Sequence, residues 1–119
     1  MEYEEIPHNP SPEKLSLDEA TSLEEKIIGL LGLVLYGEDY NLAIEKSLEF
    51  SNSPDNLIKG CAFICFGHLA RLHGKLDLDR VIPVFKANQH TEDSVLKGKM
   101  EDAISDIVFF LKVKEGLFR

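Results

Sequence analysis

No stretch of this sequence stays apolar for the roughly 18–20 residues that a membrane-spanning helix requires. The longest apolar run, Ile27 to Tyr36, covers 10 residues and contains Gly29 and Gly32. The opening letters MEYEE lack the basic region of a secretory signal. A cytoplasmic protein with no membrane partner is therefore expected. Positive charge is also short: 13 Lys and Arg stand against 21 Asp and Glu, a net charge of −8. Nucleic-acid binding leaves a basic footprint, so no nucleic-acid partner is expected. Cysteine is scarce, with only Cys61 and Cys65, spaced i, i+4. On a helix they sit one turn apart on one face, a poor geometry for a disulfide, and the expected compartment is reducing. They read as small core residues. The sequence shows no Ser-His-Asp logic, no phosphate-binding glycine loop and no HExxH. An enzyme is not expected, and no cofactor is implied.

What is present suits one folded domain. Hydrophobic residues make up 44% and charged residues 29% of 119 positions, enough for a real core. The acidity is concentrated at one end. Residues 1–25 carry eight acids (Glu2, Glu4, Glu5, Glu13, Asp18, Glu19, Glu24, Glu25) and one base, Lys14, whereas residues 26–119 carry 13 acids and 12 bases. The leading segment reads as a solvated tail, or as an attractor for a basic partner. Residues 1–15, with Pro7, Pro10 and Pro12, are expected to form this leader, and residues 16–119 a single domain.

That domain reads as all-α, because no segment alternates apolar and polar residues between turn signals. Ser16 and Asp18 are candidate caps for a first helix that carries Leu23, Ile27, Leu30, Leu31 and Val34 and stops at Gly37. A second helix spans 38–50, and Pro54 fits the first position of a third. The third helix is apolar on many sides, from Leu57 to Leu72, and is expected at the centre. A fourth begins at Asp77 or Leu78 and must accommodate Pro83 with a modest bend. A fifth runs from Glu92 to Val113.

Residues 55–60 read DNLIKG and residues 93–98 read DSVLKG. A shift of 38 also superposes Leu57 on Val95, Ile58 on Leu96, Phe66 on Ile104 and Leu69 on Ile107. Upstream, Ile44 and Leu48 match Val81 and Phe85 once one residue is inserted. The chain thus writes one helical hairpin twice, at about 38–74 and 77–113. One hairpin cannot bury both faces, so two copies share a core. Gly inside a helix costs about 1 kcal/mol relative to Ala. Its recurrence as Gly60 and Gly98 implies close helix approach at both.

The string DNLIKGCA, followed by FGHLA at 66–70, resembles the second helix of a HEAT repeat. Asp93, Leu96 and Lys97 match in the second copy, while Met100 replaces the alanine at 62. The resemblance covers about residues 38–111 and implies a short HEAT-like α-solenoid, a right-handed superhelix of about five helices. Residues 67–83 also resemble small stand-alone HEAT-like bacterial proteins, some of them immunity proteins of polymorphic or contact-dependent toxin systems. That likeness implies a protein partner, a toxin domain bound by a monomer.

The repeat also selects candidate site residues. His68 is equivalent to Asp106, and Ile64 to Asp102. Equivalent positions on stacked helices lie side by side, about 8–10 Å between axes. His68 or Arg71 is thus expected to reach Asp102 or Asp106, as a register-fixing polar ladder or, less plainly, an acid–base pair. Glu101, Asp102 and Asp106 form an acidic cluster that reads as a solvated face balanced by Lys97 and Lys99, or as a receiver of a partner's Lys or Arg; with His68 and Arg71 they are the candidate partner-binding residues. Cys61, Cys65 and His68 share a stripe that a metal would use, but no fourth ligand is evident. Protein binding is the expected function. An immunity protein leads, a scaffold or adaptor domain is the alternative, and a HEAT-like lyase or glycosylase comes last.

Overall fold

The computed structural model describes residues 22–119. The described residues form five α-helices: α1 (Leu23–Tyr36), α2 (Tyr40–Ser51), α3 (Asn56–His73), α4 (Leu78–Ala87) and α5 (Ser94–Leu111). A 3-10 turn, Glu115–Phe118, follows. The described residues contain no strand, as the patterning predicted. No helix among them is long and apolar enough to cross a membrane. The leader and the candidate caps Ser16 and Asp18 lie outside the described residues.

Each helix starts at a side-chain cap. Ser22 and Glu25 form a reciprocal capping box at α1. Asp39, Asp55, Asp77 and Asp93 cap the other four helices by accepting backbone N–H groups of the first turn. Pro54 therefore precedes the cap of α3 instead of opening the helix. Asp55 takes the cap because its carboxylate reaches the Leu57 and Ile58 amides at 2.8 and 3.3 Å. Helix α3 ends at Gly74, whose φ of 66° is left-handed. Pro83 sits inside α4 on an exposed position. The helical donor it removes is the one for the carbonyl of Asp79, itself an exposed residue, where the loss is cheaper than in a core.

Helix α3 is central, as its apolar breadth implied: α1, α2 and α5 all pack on it, and its pairing with α5 is the most extensive of the fold. Phe63, Phe66, Cys65 and Leu69 are fully buried there. Each large side chain contributes about 1.5–3 kcal/mol by leaving water. The Phe85 ring enters from α4 and lies 4.6 Å from Phe63 and 5.2 Å from Phe118, both at steep interplanar angles. Phe118, 1% exposed, thus closes the core from the C-terminal turn.

Burial also refines the register of the repeat. Ala43 and Ser47 are buried on α2 where Val81 and Phe85 are buried on α4. The shift of 38 therefore runs through the first helices without an insertion. The hydroxyl of Ser47 concealed this, because a serine does not register in an apolar pattern. Its Oγ is buried without a hydrogen-bond partner.

Candidate functional site

Helices α3 and α5 run parallel with their repeat-equivalent positions abreast. At one end Asn56 Nδ2 donates to Asp93 Oδ2 at 3.0 Å. One turn on, a Cβ built on Gly60 would meet the Lys99 stem at 2.7 Å and the Leu96 side chain at 3.8 Å. Two turns further, a Cβ on Gly67 would lie 3.3 Å from Asp106 Cβ and 3.4 Å from Ala103 Cα. Lys59 also crosses between the hairpins, its Nζ donating to Asn88 Oδ1 at 3.1 Å beyond the end of α4. Gly67, which the sequence reading passed over, is the position of tightest backbone approach.

The second copy of the motif behaves differently. Ser94, Lys97, Gly98 and Ser105, the counterparts of Asn56, Lys59, Gly60 and Gly67, are all exposed. A Cβ at Gly98 would meet nothing within 4 Å. The expectation that both glycines serve close approach therefore holds for Gly60 and fails for Gly98. The cause is position in the stack: α3 has a neighbour on that side and α5 has none among the described residues. Only the capping function, which is internal to a helix, is equal in both copies: Asp55 and Asp93 both cap.

The outer face of α5 is a polar version of the α3 face. Glu101 stands where Phe63 stands one hairpin earlier. In place of a ring contact it meets Arg119 in a two-point pair at 2.7 and 2.8 Å, and Arg119 also holds Glu115 at 2.6 Å. The guanidinium holds the Glu101 carboxyl below its ordinary range. Asp102 is exposed beside this clasp, with Val95 (58% exposed) toward one end of the helix and Phe109 (65%) toward the other. The Lys112 ammonium stands 5.2 Å over the Phe109 ring.

The remaining candidates gather at the other side of the helix pair. His68 is half-buried, with Nδ1 3.2 Å from an Arg71 amino group. Burial and the neighbouring guanidinium lower its pKa, and Asp106 opposes them through space. The fold thus assembles His68, Arg71 and Asp106 but not Asp102. No direct hydrogen bond joins His68 or Arg71 to either aspartate, so the ladder is electrostatic and not a bonded acid–base pair. Cys61 and Cys65 are free buried thiols on one face of α3. Cys65 donates to Cys61, which lowers the Cys61 pKa with help from Lys99, and raises that of Cys65. The described residues hold no cluster of three His, Cys, Asp or Glu arranged for a metal.

Two cavities flank α5. One, of about 190 Å³, lies by the C-terminal turn between Gln89, Thr91, Lys97, Glu101 and Arg119. The other is an apolar trough of about 210 Å³ formed by Ile27 and Leu31 of α1, Leu57, Cys61 and Ile64 of α3, and Lys99 of α5. The sequence assigns Lys99 only a balancing charge, since its repeat equivalent is Cys61, and gives no signal for Arg119, which lies beyond both repeats. Comparison of the chain with protein-family models, with curated proteins and with solved structures finds no match.

Proposed function

We propose that this chain is a protein-binding module, an immunity protein that binds and neutralises a cognate bacterial toxin. In this reading the hairpins form a short HEAT-like α-solenoid with a right-handed superhelix. The open outer face of α5 is the observation that carries it. Gly60 and Gly67 on α3 are covered by α5, while their counterparts on α5, Gly98 and Ser105, are exposed. A partner element that lies on α5 as α5 lies on α3 meets two small residues, Gly98 and Ser105, that permit close approach. It meets Asp102 between them and Val95 and Phe109 at the ends. Apolar ends around an unpaired carboxylate suit a partner with a central Lys or Arg, and the net charge of −8 favours its approach. Glu101 joins this surface by exchanging Arg119 for the partner's cation. His68, Arg71 and Asp106 hold the α3–α5 register behind it.

The test is co-purification of the full chain with the product of the neighbouring gene, together with rescue of cells that express that product. Asp102→Lys and Phe109→Asp are each expected to weaken binding at least tenfold, about 1.4 kcal/mol, with helicity unchanged. Added salt weakens the complex further. Absence of binding and of rescue refutes the proposal. Binding that is insensitive to salt and to Asp102→Lys favours the adaptor reading, in which Val95 and Phe109 carry the contact.

A further inference from the structure

The apolar trough between α1 and α3 is not part of the α5 face, and three observations bear on what it holds. Its walls are aliphatic: Ile27, Leu31, Leu57 and Ile64. Leu57 is 52% exposed in the empty trough, so an occupant removes leucine surface from water. Its lining includes Lys99, whose stem crosses Gly60 and which forms no ion pair with a described residue. Two other cations of α3 already have side-chain partners: Lys59 is bound to Asn88 and Arg71 to His68. The floor is Cys61, 8% exposed, whose thiol accepts from Cys65 and lies in the field of Lys99.

An aliphatic trough with one unpaired cation at its edge selects a ligand that is apolar along its length and anionic at one end. Size narrows the class. An aliphatic cavity of ~150 Å³ takes benzene, a six-carbon ligand, so about 210 Å³ holds a chain of roughly eight carbons by proportion. We propose that this trough is a binding site for a medium-chain carboxylic acid, its carboxylate on Lys99 and its chain laid along Ile27, Leu31 and Ile64 over the Cys61 sulfur. The site is independent of the protein-binding face. Gly60 belongs to it, because a side chain there would meet the Lys99 stem at 2.7 Å.

Cys61 supplies a reporter inside the site. Alkylation of the full chain by N-ethylmaleimide is followed by mass spectrometry in octanoate, octylamine or octanol, with Cys61→Ser identifying the reacting thiol. Octanoate is expected to slow Cys61 alkylation at least fivefold, octanol less, and octylamine not at all. In Lys99→Met the advantage of octanoate over octanol disappears while helicity is retained. Methyl chemical shifts of Ile27, Leu31 and Ile64 read the same binding where alkylation of the native thiol is too slow to follow. Unchanged alkylation and unchanged methyl shifts up to millimolar octanoate overturn the proposal. Equal protection by octylamine, or an octanoate preference that survives in Lys99→Met, overturns it too.

Discussion

Gly60, Gly67 and Gly98 offer three alanine substitutions with one common gain and three different environments. Replacing a helical Gly by Ala gains about 1 kcal/mol of helix propensity. At Gly98 nothing lies within 4 Å of the new methyl, so the gain is kept in full. At Gly60 the methyl would sit 2.7 Å from Lys99 Cδ, but that atom belongs to a flexible stem which can swing outward, and Leu96 is at an ordinary 3.8 Å. A change near zero is expected. At Gly67 the methyl meets Asp106 Oδ2 at 3.2 Å, Asp106 Cβ at 3.3 Å and the Ala103 backbone at 3.4 Å. Backbone cannot swing aside, so α3 and α5 must part along the largest interface of the fold. Overpacking of this kind costs about 1–3 kcal/mol, which cancels or exceeds the propensity gain. Urea unfolding followed by circular dichroism at 222 nm measures all three. Gly98→Ala should raise stability by about 1 kcal/mol, or Tm by about 4 °C or more for a domain of this size. Gly67→Ala should fall at least about 1 kcal/mol below it. Equal gains at Gly67 and Gly98, or a loss at Gly98, would refute the parallel α3–α5 packing.

Three further outcomes are expected. Phe118→Ala empties a fully buried site against Phe85 and should cost about 3 kcal/mol, seen as a lower urea midpoint at unchanged m-value. Ser47→Ala removes a buried hydroxyl with no partner and should leave stability unchanged or raise it by up to about 1 kcal/mol; a marked loss would show that the hydroxyl is bonded. His68 has a folded-state pKa below its ordinary 6.5, so the unfolded chain takes up the proton first. Its contribution to stability is complete above about pH 6.5 and declines as pH falls toward the folded value. His68→Gln should flatten the stability profile between pH 7.5 and 5.5, and an unchanged profile would count against the burial of the ring beside Arg71.

The reading from sequence was strongest where a residue's task lies within its own helix. The five helical segments, the stop at Gly37 and the apolar stripes that face the core follow the sequence pattern, whereas the start of α3 lies at the Asp55 cap and not at Pro54. It was weaker at Ser47, whose polar side chain interrupts an apolar pattern at a buried site. It was silent on Phe118 and Arg119, because four residues in a 3-10 turn carry no periodicity to detect. Of the candidate site residues, His68 lies against Arg71 and in the field of Asp106, without a hydrogen bond to it. Glu101 acquired a partner, Arg119, from a segment outside the repeat, and Asp102 was left to solvent.

By itself the order of residues determined that the described residues are helical, which stretches form the helices, and that two hairpins follow a period of 38. Those are properties of neighbouring residues, set by hydrogen bonding at helix ends and by the periodicity of apolar side chains. Only the tertiary structure decided that Gly60 lies under Lys99 while Gly98 lies under nothing. Identical letters acquire different surroundings because a lateral position is buried by the next element in the stack, and α5 is the last of the described helices.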